Sequence, residues 1–311
     1  MRLNNPISKL LKFALFSYIS LSSLATIAGD LDDIKAAGVL RHLGSPYANF
    51  VKIFPKDNAD IESGLDIELI RGFASYLGVD YQFVKGEGNN IIGQLIGQNI
   101  EYKDGQIVYL GKEKIQGDLI ASGVTSLEWR KALFDFSDDY FPAGVWLFSR
   151  IDSPMQPIQP SGSILIDITQ VKAQLNGRSV IGQRQTCLDP DLYQLESSGA
   201  DVVLPDPPLK SAFMIPAILN READSTLLDV VDGLTALEKW AGEIKVIGPI
   251  SEEQRLAVVF RKNSPELRLA FNAYLKIIRA DGRYIKMVKK YYPEVLNFYP
   301  DYFSMGNIPA A

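Results

Sequence analysis

GDLIASGVTSLEWRKALFDFSDDY, residues 117–140, is the stretch from which the rest of the chain can be laid out. Asp118-Leu-Ile-Ala reads as a strand that ends at Gly123. Thr125 and Ser126 then stand as caps of a short helix carrying Arg130, and a second apolar run, Ala132-Leu-Phe-Asp-Phe-Ser, follows. A strand end, a glycine, hydroxyls at a helix start and an arginine together make an anion site. Free backbone N–H groups and the helix dipole favour negative charge there. A guanidinium fork grips a carboxylate through two parallel bonds. The local pattern alone also fits an ordinary N-cap followed by a surface arginine.

Upstream, Leu31 to Ala37 is a short amphipathic helix stopped by Gly38, and Val39 to Gly44 is the first strand. A loop with Tyr47 and Phe50 and a turn-rich stretch lead to Gly64. Leu65 to Leu77 is a helix with Leu69, Ile70, Phe73 and Leu77 on one face, closed by Gly78. Val79, Tyr81 and Phe83 alternate as a strand. Strand–helix–strand predicts a parallel sheet covered by helices, and such sheets bind ligands beyond the carboxyl ends of their strands.

SGVTSLEWRKALFDFSDDYF resembles the signature of the family 3 bacterial solute-binding proteins, the amino-acid receptors of ABC importers. That signature is a strand ending in AG-hydrophobic-T, then E-R-K and a DFSDPYY-like tail. GVLRHLGS and GLDIELIRGFASYLGVDYQFV are similar to the same family's opening, and the likeness spans about Leu31 to Pro293. It implies that Gly123, Thr125 and Arg130 hold the ligand's α-carboxylate, and that Tyr47, with Phe50 as second choice, stacks on the ligand. Arg184-Gln-Thr-Cys-Leu-Asp-Pro stands where the family has a loop touching the carboxylate from the second lobe, so Thr186 is implicated. Asp189 and Pro190 read as an N-cap and N1 pair there. In the family a strand ends at an aspartate that pairs with the α-ammonium. Asp232 is assigned that role, with Asp229 as the alternative and an N-cap as the competing reading of Asp232.

The resemblance implies an α/β fold of two lobes, a type II periplasmic binding protein. Each lobe is a mostly parallel sheet flanked by helices. Residues 29–140 and 256–311 form lobe one, 145–251 lobe two, and 141–144 with 252–255 the hinge. Gly88 stands where a second pocket aromatic is frequent. Residues 99–116 are an extra segment; Lys103-Asp-Gly-Gln between β-prone residues predicts a hairpin, read as surface decoration. Tyr284 to Tyr291 is read as the last helix, with an aromatic tail lying on lobe one.

Residues 1–28 read as a cleaved secretory signal: Arg2, Lys9 and Lys12, an apolar run from Phe13 to Ile27, then Thr26 and Ala28 as small positions. An uncleaved anchor is the alternative; the lack of a nearby cysteine argues against a lipoprotein. The expectation is a soluble periplasmic monomer. Losing the signal takes the net charge from −5 to about −8, and with no basic run nucleic acid is excluded as a partner. With one cysteine, Cys187, an internal disulfide is excluded, and with one histidine, His42, a Cys/His metal site and a Ser-His-Asp triad are poorly supported. His42 reads as a packed or half-exposed strand residue and Cys187 as a thiol near the cleft, idle or buried.

The function expected is that of a receptor for an amino acid or related small carboxylate, delivering it to the permease subunits of an ABC importer. It needs no cofactor and is not an enzyme. The alternatives are a periplasmic dehydratase of the cyclohexadienyl or arogenate type, with Glu87 as general acid, and a solute sensor serving a partner outside transport.

Overall fold

The computed structural model describes residues 30–56, 60–86, 90–103 and 105–305. The signal reading of residues 1–28, and those of Glu87, Gly88 and Asp104, lie outside the described residues.

Two five-stranded sheets organise the chain. The first runs Asp80–Lys85, Val39–Gly44, Leu119–Ile120, Val259–Phe260, Asp135–Phe136. Its first three strands are parallel, and Val259–Phe260 is antiparallel to both neighbours. The second runs Asp201–Val203, Ser179–Ile181, Ser225–Asp229, Val145–Arg150, Ile244–Pro249. It repeats the plan, with three parallel strands and then an antiparallel fourth. The chain passes between the lobes twice, and the two crossings, Phe141–Ala143 and Gln254–Leu256, pair with each other as antiparallel strands.

Helix Leu65–Leu77 buries Leu69, Ile70 and Phe73, as its apolar spacing predicts, and Gly78 ends it in the left-handed conformation. Helix Pro265–Ala280 buries Leu267, Phe271, Leu275 and Ile278. The two helices meet ring to ring, Phe73 edge-on to Phe271 at 5.2 Å between centroids. Aromatic pairs favour that geometry.

Several local expectations change. The stretch before Gly64 holds an antiparallel ribbon, Lys52–Phe54 with Ile61–Ser63. The tail is not a plain extension. Pro293 and Pro300 interrupt it, and two short helices, Val295–Phe298 and Pro300–Met305, follow Tyr291. Phe303 packs on Phe141 of the first crossing, whereas Phe298 meets Trp146 in lobe two.

Asp118 ties the first sheet together. It is 1% exposed and accepts from the Arg41 backbone N–H at 2.8 Å and from Nε and Nη2 at 3.1 and 2.6 Å. Arg261, just past the fourth strand, stands 3.8 Å away. Two largely buried guanidinium groups thus depend on one carboxylate. Removing one partner of a buried pair leaves an uncompensated charge. Asp118→Ala should therefore lose about 3–5 kcal/mol of stability in urea unfolding, far more than a surface substitution.

Candidate functional site

Four loops leave the carboxyl ends of parallel strands and face one another across the lobes. Tyr47 follows Val39–Gly44, and Gly123 to Arg130 follow Leu119–Ile120. Gln185 to Cys187 follow Ser179–Ile181, and Asp229 is the last residue of Ser225–Asp229. This is the crevice in which open α/β sheets take ligands.

Arg130 spans it. Nη1 donates to the Thr125 carbonyl at 3.0 Å within lobe one, and Nη2 donates to the Gln185 carbonyl at 3.0 Å in lobe two. Nε is buried with no hydrogen-bond partner. Burial lowers the Arg130 pKa, opposed by Cys187 and Tyr193. The expected capped helix is a single 3-10 turn, Glu128–Ala132, whose N-cap is Leu127. Thr125 lies too early to cap it, because its own backbone bridges to Leu256. A helix dipole therefore contributes little here, and the guanidinium is the anion-attracting group.

Gly123 has φ +63°, and a Cβ there would come within 2.6 Å of the Tyr47 ring and 2.9 Å of Phe50. Only glycine lets these rings close over the loop. Its N–H is not free for a ligand, since it donates to Asp66 Oδ2 at 2.8 Å. Tyr140 donates to the same oxygen at 2.8 Å, leaving Oδ1 bare. Burial raises the Asp66 pKa to about 7 against these two bonds. Sequence reasoning missed Asp66, although it sits in the quoted GLDIE run; its partners lie 57 and 74 residues away.

Tyr47 stacks on Phe50 at 5.8 Å with the rings 10° from parallel. Phe50 is 0% exposed, so it is a core ring rather than a cleft wall. Burial, then Asp232 and Asp229, push the Tyr47 pKa well up.

The strand expected to end at Asp232 ends three residues earlier, at Asp229, and Asp232 lies in helix Val230–Lys239. Alternation carries the strand through Leu227-Leu228, and the four residues DVVD gave no sign of which aspartate closes it. Asp229 Oδ1 caps the Val231 N–H at 3.1 Å, while Oδ2 is buried and bare. Burial raises Asp229 to about 8, opposed by the Val231 bond and helped by Asp232. Burial raises Asp232 to about 6, opposed by the hydroxyls of Ser211 and of Tyr47 in the opposite lobe.

Thr186 turns its hydroxyl back on its own loop, donating to the Gln183 carbonyl and accepting from the Leu188 N–H. Asp189 and Pro190 form the expected cap and N1 pair, on a 3-10 turn. The neighbouring Cys187 is half-buried, and burial with the Asp229 charge pushes its thiol to about 12, opposed by Thr125 and Arg130 of lobe one. His42 is fully buried between the Ala121 carbonyl and the Tyr81 hydroxyl, and burial lowers it to about 4. No cluster of three or more His, Cys, Asp or Glu able to hold a metal occurs among the described residues.

The extra segment forms the expected hairpin, Gln98–Lys103 with Gln106–Lys112. It is more than decoration. Ile100 and Ile107 pack on a buried cluster around Leu43, Leu95 and Phe134. Tyr102, Lys103 and Gly105 face Arg184, Asp189, Asp191 and Leu192 of lobe two across a cavity of about 100 Å³. A two-residue turn signal reveals a hairpin but not what it leans on.

Residues 103–294 match the family described as bacterial extracellular solute-binding proteins, family 3. Among curated relatives, the membrane-bound lytic murein transglycosylase F of Desulfosudis oleivorans is 25% identical over 238 residues, 76% of this chain. The chain spans only 45% of that enzyme's length. The arginine-binding extracellular protein ArtP of Bacillus subtilis is 25% identical over 250 residues, covering 76% of this chain and 89% of its own. A mutant of ArgBP from T. maritima superposes with a TM-score of 0.64 at 24% identity, over 85% of this chain and 99% of its own, which shows the fold.

The Asp66 cradle makes a pH prediction. A carboxyl raised to about 7 favours the folded state while it is neutral. That advantage is complete below the unfolded value of about 4 and is lost as pH rises through 7, with about 1.4 kcal/mol for each tenfold change in proton affinity. Asp66→Asn keeps an acceptor for the Gly123 N–H and cannot ionise. Its stability curve between pH 4 and pH 8 should be flatter than that of the parent in urea unfolding. An unchanged slope would mean that Asp66 does not titrate there.

Proposed function

The chain belongs to the bacterial extracellular solute-binding proteins of family 3, and from that premise we propose that it is a periplasmic receptor that closes two lobes on an α-amino acid and hands it to the permease subunits of an ABC importer. The lobes are 29–140 with 256–311, and 145–251, hinged at 141–144 and 252–255; residues 1–28 are the export signal.

One observation carries this reading. Arg130 of lobe one and Asp229 of lobe two face the same crevice, and each keeps a buried polar atom, Nε and Oδ2, without a partner. Buried charge demands an opposite partner. A zwitterion supplies a carboxylate to one and an ammonium to the other, and only the closed form offers both. Solute therefore stabilises closure. Tyr47 stacks on the solute, Gly123 and Thr125 shape the carboxylate end, and the Thr186 loop brings Cys187 and the Gln185 carbonyl from the second lobe. No bond is made or broken.

The charge count refines the solute. Asp229 and Asp232 both stand on the lobe-two side of the crevice, where Asp229 feels the Asp232 charge and both act on Tyr47. Burial holds both carboxyls above the usual carboxylate range, and a second positive charge on the solute favours their ionised forms, so a cationic amino acid can draw on both. The Bacillus subtilis relative is named for binding arginine, which agrees with this choice.

A thermal-shift screen of the purified protein against the amino acids, small carboxylates and prephenate tests it, because a ligand at 100 times its Kd adds about 2.7 kcal/mol. Arginine, lysine or ornithine should give the largest shift. Arg130→Ala and Asp229→Asn, which keeps the cap, should each weaken binding by about 2–5 kcal/mol. A solute whose binding survives Asp229→Asn but not Asp232→Asn would return the ammonium contact to Asp232. Turnover of prephenate with no amino-acid shift would overturn the receptor reading.

A further inference from the structure

Arg130 is flanked on its N-terminal side by Trp129, whose ring lies 5.2 Å from the guanidinium carbon. An indole face attracts a cation most strongly among aromatic rings, so the orientation of Trp129 bears on where the guanidinium rests. Trp129 is half-buried and sits on a single 3-10 turn, an element too short to fix a large side chain by itself. Its other face is covered from outside that element. Tyr102, on strand Gln98–Lys103 of the hairpin, stacks on it with centroids 4.3 Å apart and planes 8° from parallel.

The order of groups across the cleft is then Tyr102, Trp129, Arg130 and the Gln185 carbonyl. The first three belong to lobe one and the last to lobe two. Tyr102 itself stays in register because it pairs with Ile107, which is anchored with Ile100 on the buried cluster. Next to it, Lys103 and Gly105 face the loop that contains Arg184 and Asp189, the same loop that presents the Gln185 carbonyl. The hairpin therefore flanks the inter-lobe bridge on the side of the guanidinium.

We propose that Tyr102 is a positioning residue for solute binding: by clamping Trp129 it holds the Arg130 guanidinium in the line that meets the carboxylate of the solute and the Gln185 carbonyl of the opposite lobe. This rests on the receptor reading for the solute, but not for the bridge between the lobes. The hairpin thereby becomes a working part of the closed form. A chain without it would have to hold its arginine by other means.

The test uses the full chain and its single cysteine. Cys187 is half-buried on the lobe-two loop, two residues after Gln185, so its alkylation by iodoacetamide quickens as the bridge at the Gln185 carbonyl loosens. Tyr102→Phe keeps the stack, Tyr102→Leu keeps apolar bulk without a ring, and Tyr102→Ala removes both. An aromatic pair of this kind corresponds to about a two- to tenfold change in an equilibrium. Alanine and leucine variants should show alkylation faster by that factor and, with arginine as the probe solute, affinity weaker by that factor. Phenylalanine should match the parent in both. A merely structural Tyr102 would lower the melting temperature of the alanine variant while leaving the leucine variant's alkylation rate and affinity unchanged, and that result overturns the proposal. If the alanine variant does not fold, the leucine and phenylalanine pair decides. If the parent binds no amino acid, the receptor reading falls, and the alkylation rates still decide whether Tyr102 steadies the bridge.

Discussion

A guanidinium drawn out of water needs polar partners, and this chain gives Arg130 two backbone carbonyls from different lobes while leaving Nε without one. Much of the surrounding architecture serves that condition. Thr125 can offer its carbonyl because its own backbone is bridged to Leu256. Gln185 can offer its carbonyl because the loop is pinned by Asp189, which accepts from the Gln185 N–H and caps the following turn. The arginine is thus aimed by backbone groups whose positions are fixed by strands. Backbone carbonyls are weaker partners for a guanidinium than a carboxylate is.

A similar arrangement lies behind the loop. Gly123 is held from below by Asp66 and roofed by Tyr47 and Phe50, and none of these contacts uses a side chain of the glycine. The site is therefore supported by a carboxyl group from the first helix of the sheet, whose burial keeps it close to neutrality. Support residues of this kind preorganise a loop, which lowers the cost of binding.

Much of the fold was legible because its signals are local. Leu69, Ile70 and Phe73 share a helix face, Gly38, Gly78 and Gly282 end or precede helices in the left-handed region, and Asp104-Gly105 marks a hairpin. Gly123 and Arg130 were legible through a motif, and the structure brings both to the crevice. What stayed hidden depends on long-range packing or on boundaries one turn wide. DVVD contains two carboxylates three residues apart, and only the pairing of Val145 with Asp229 shows where the strand stops. Thr125 and Ser126 read as caps because hydroxyls before an amphipathic run usually are, yet the run is one 3-10 turn. The tail read as aromatic and lying on lobe one after a last helix ending at Tyr291, yet two more short helices follow, Val295–Phe298 and Pro300–Met305, too short to show a period. The stacking of Tyr102 on Trp129 joins residues 27 apart whose spacing carries no pattern at all.

The antiparallel fourth strand of the first sheet has a kinetic consequence. Val259–Phe260 fills the gap between Leu119–Ile120 and Asp135–Phe136, but it is made only after the whole of lobe two. A chain emerging N-terminus first must hold a sheet with a missing middle strand while the second sheet is completed. The second sheet suffers no such delay, because its two ends meet: the Ile250 N–H donates to the Val145 carbonyl at 2.8 Å. Lobe two is a self-contained insertion in sequence, and lobe one is a discontinuous unit whose closing contacts bridge more than 120 residues. Contacts of that separation form late and slowly. The order of assembly is therefore the reverse of the order of synthesis: the lobe that begins first is finished last.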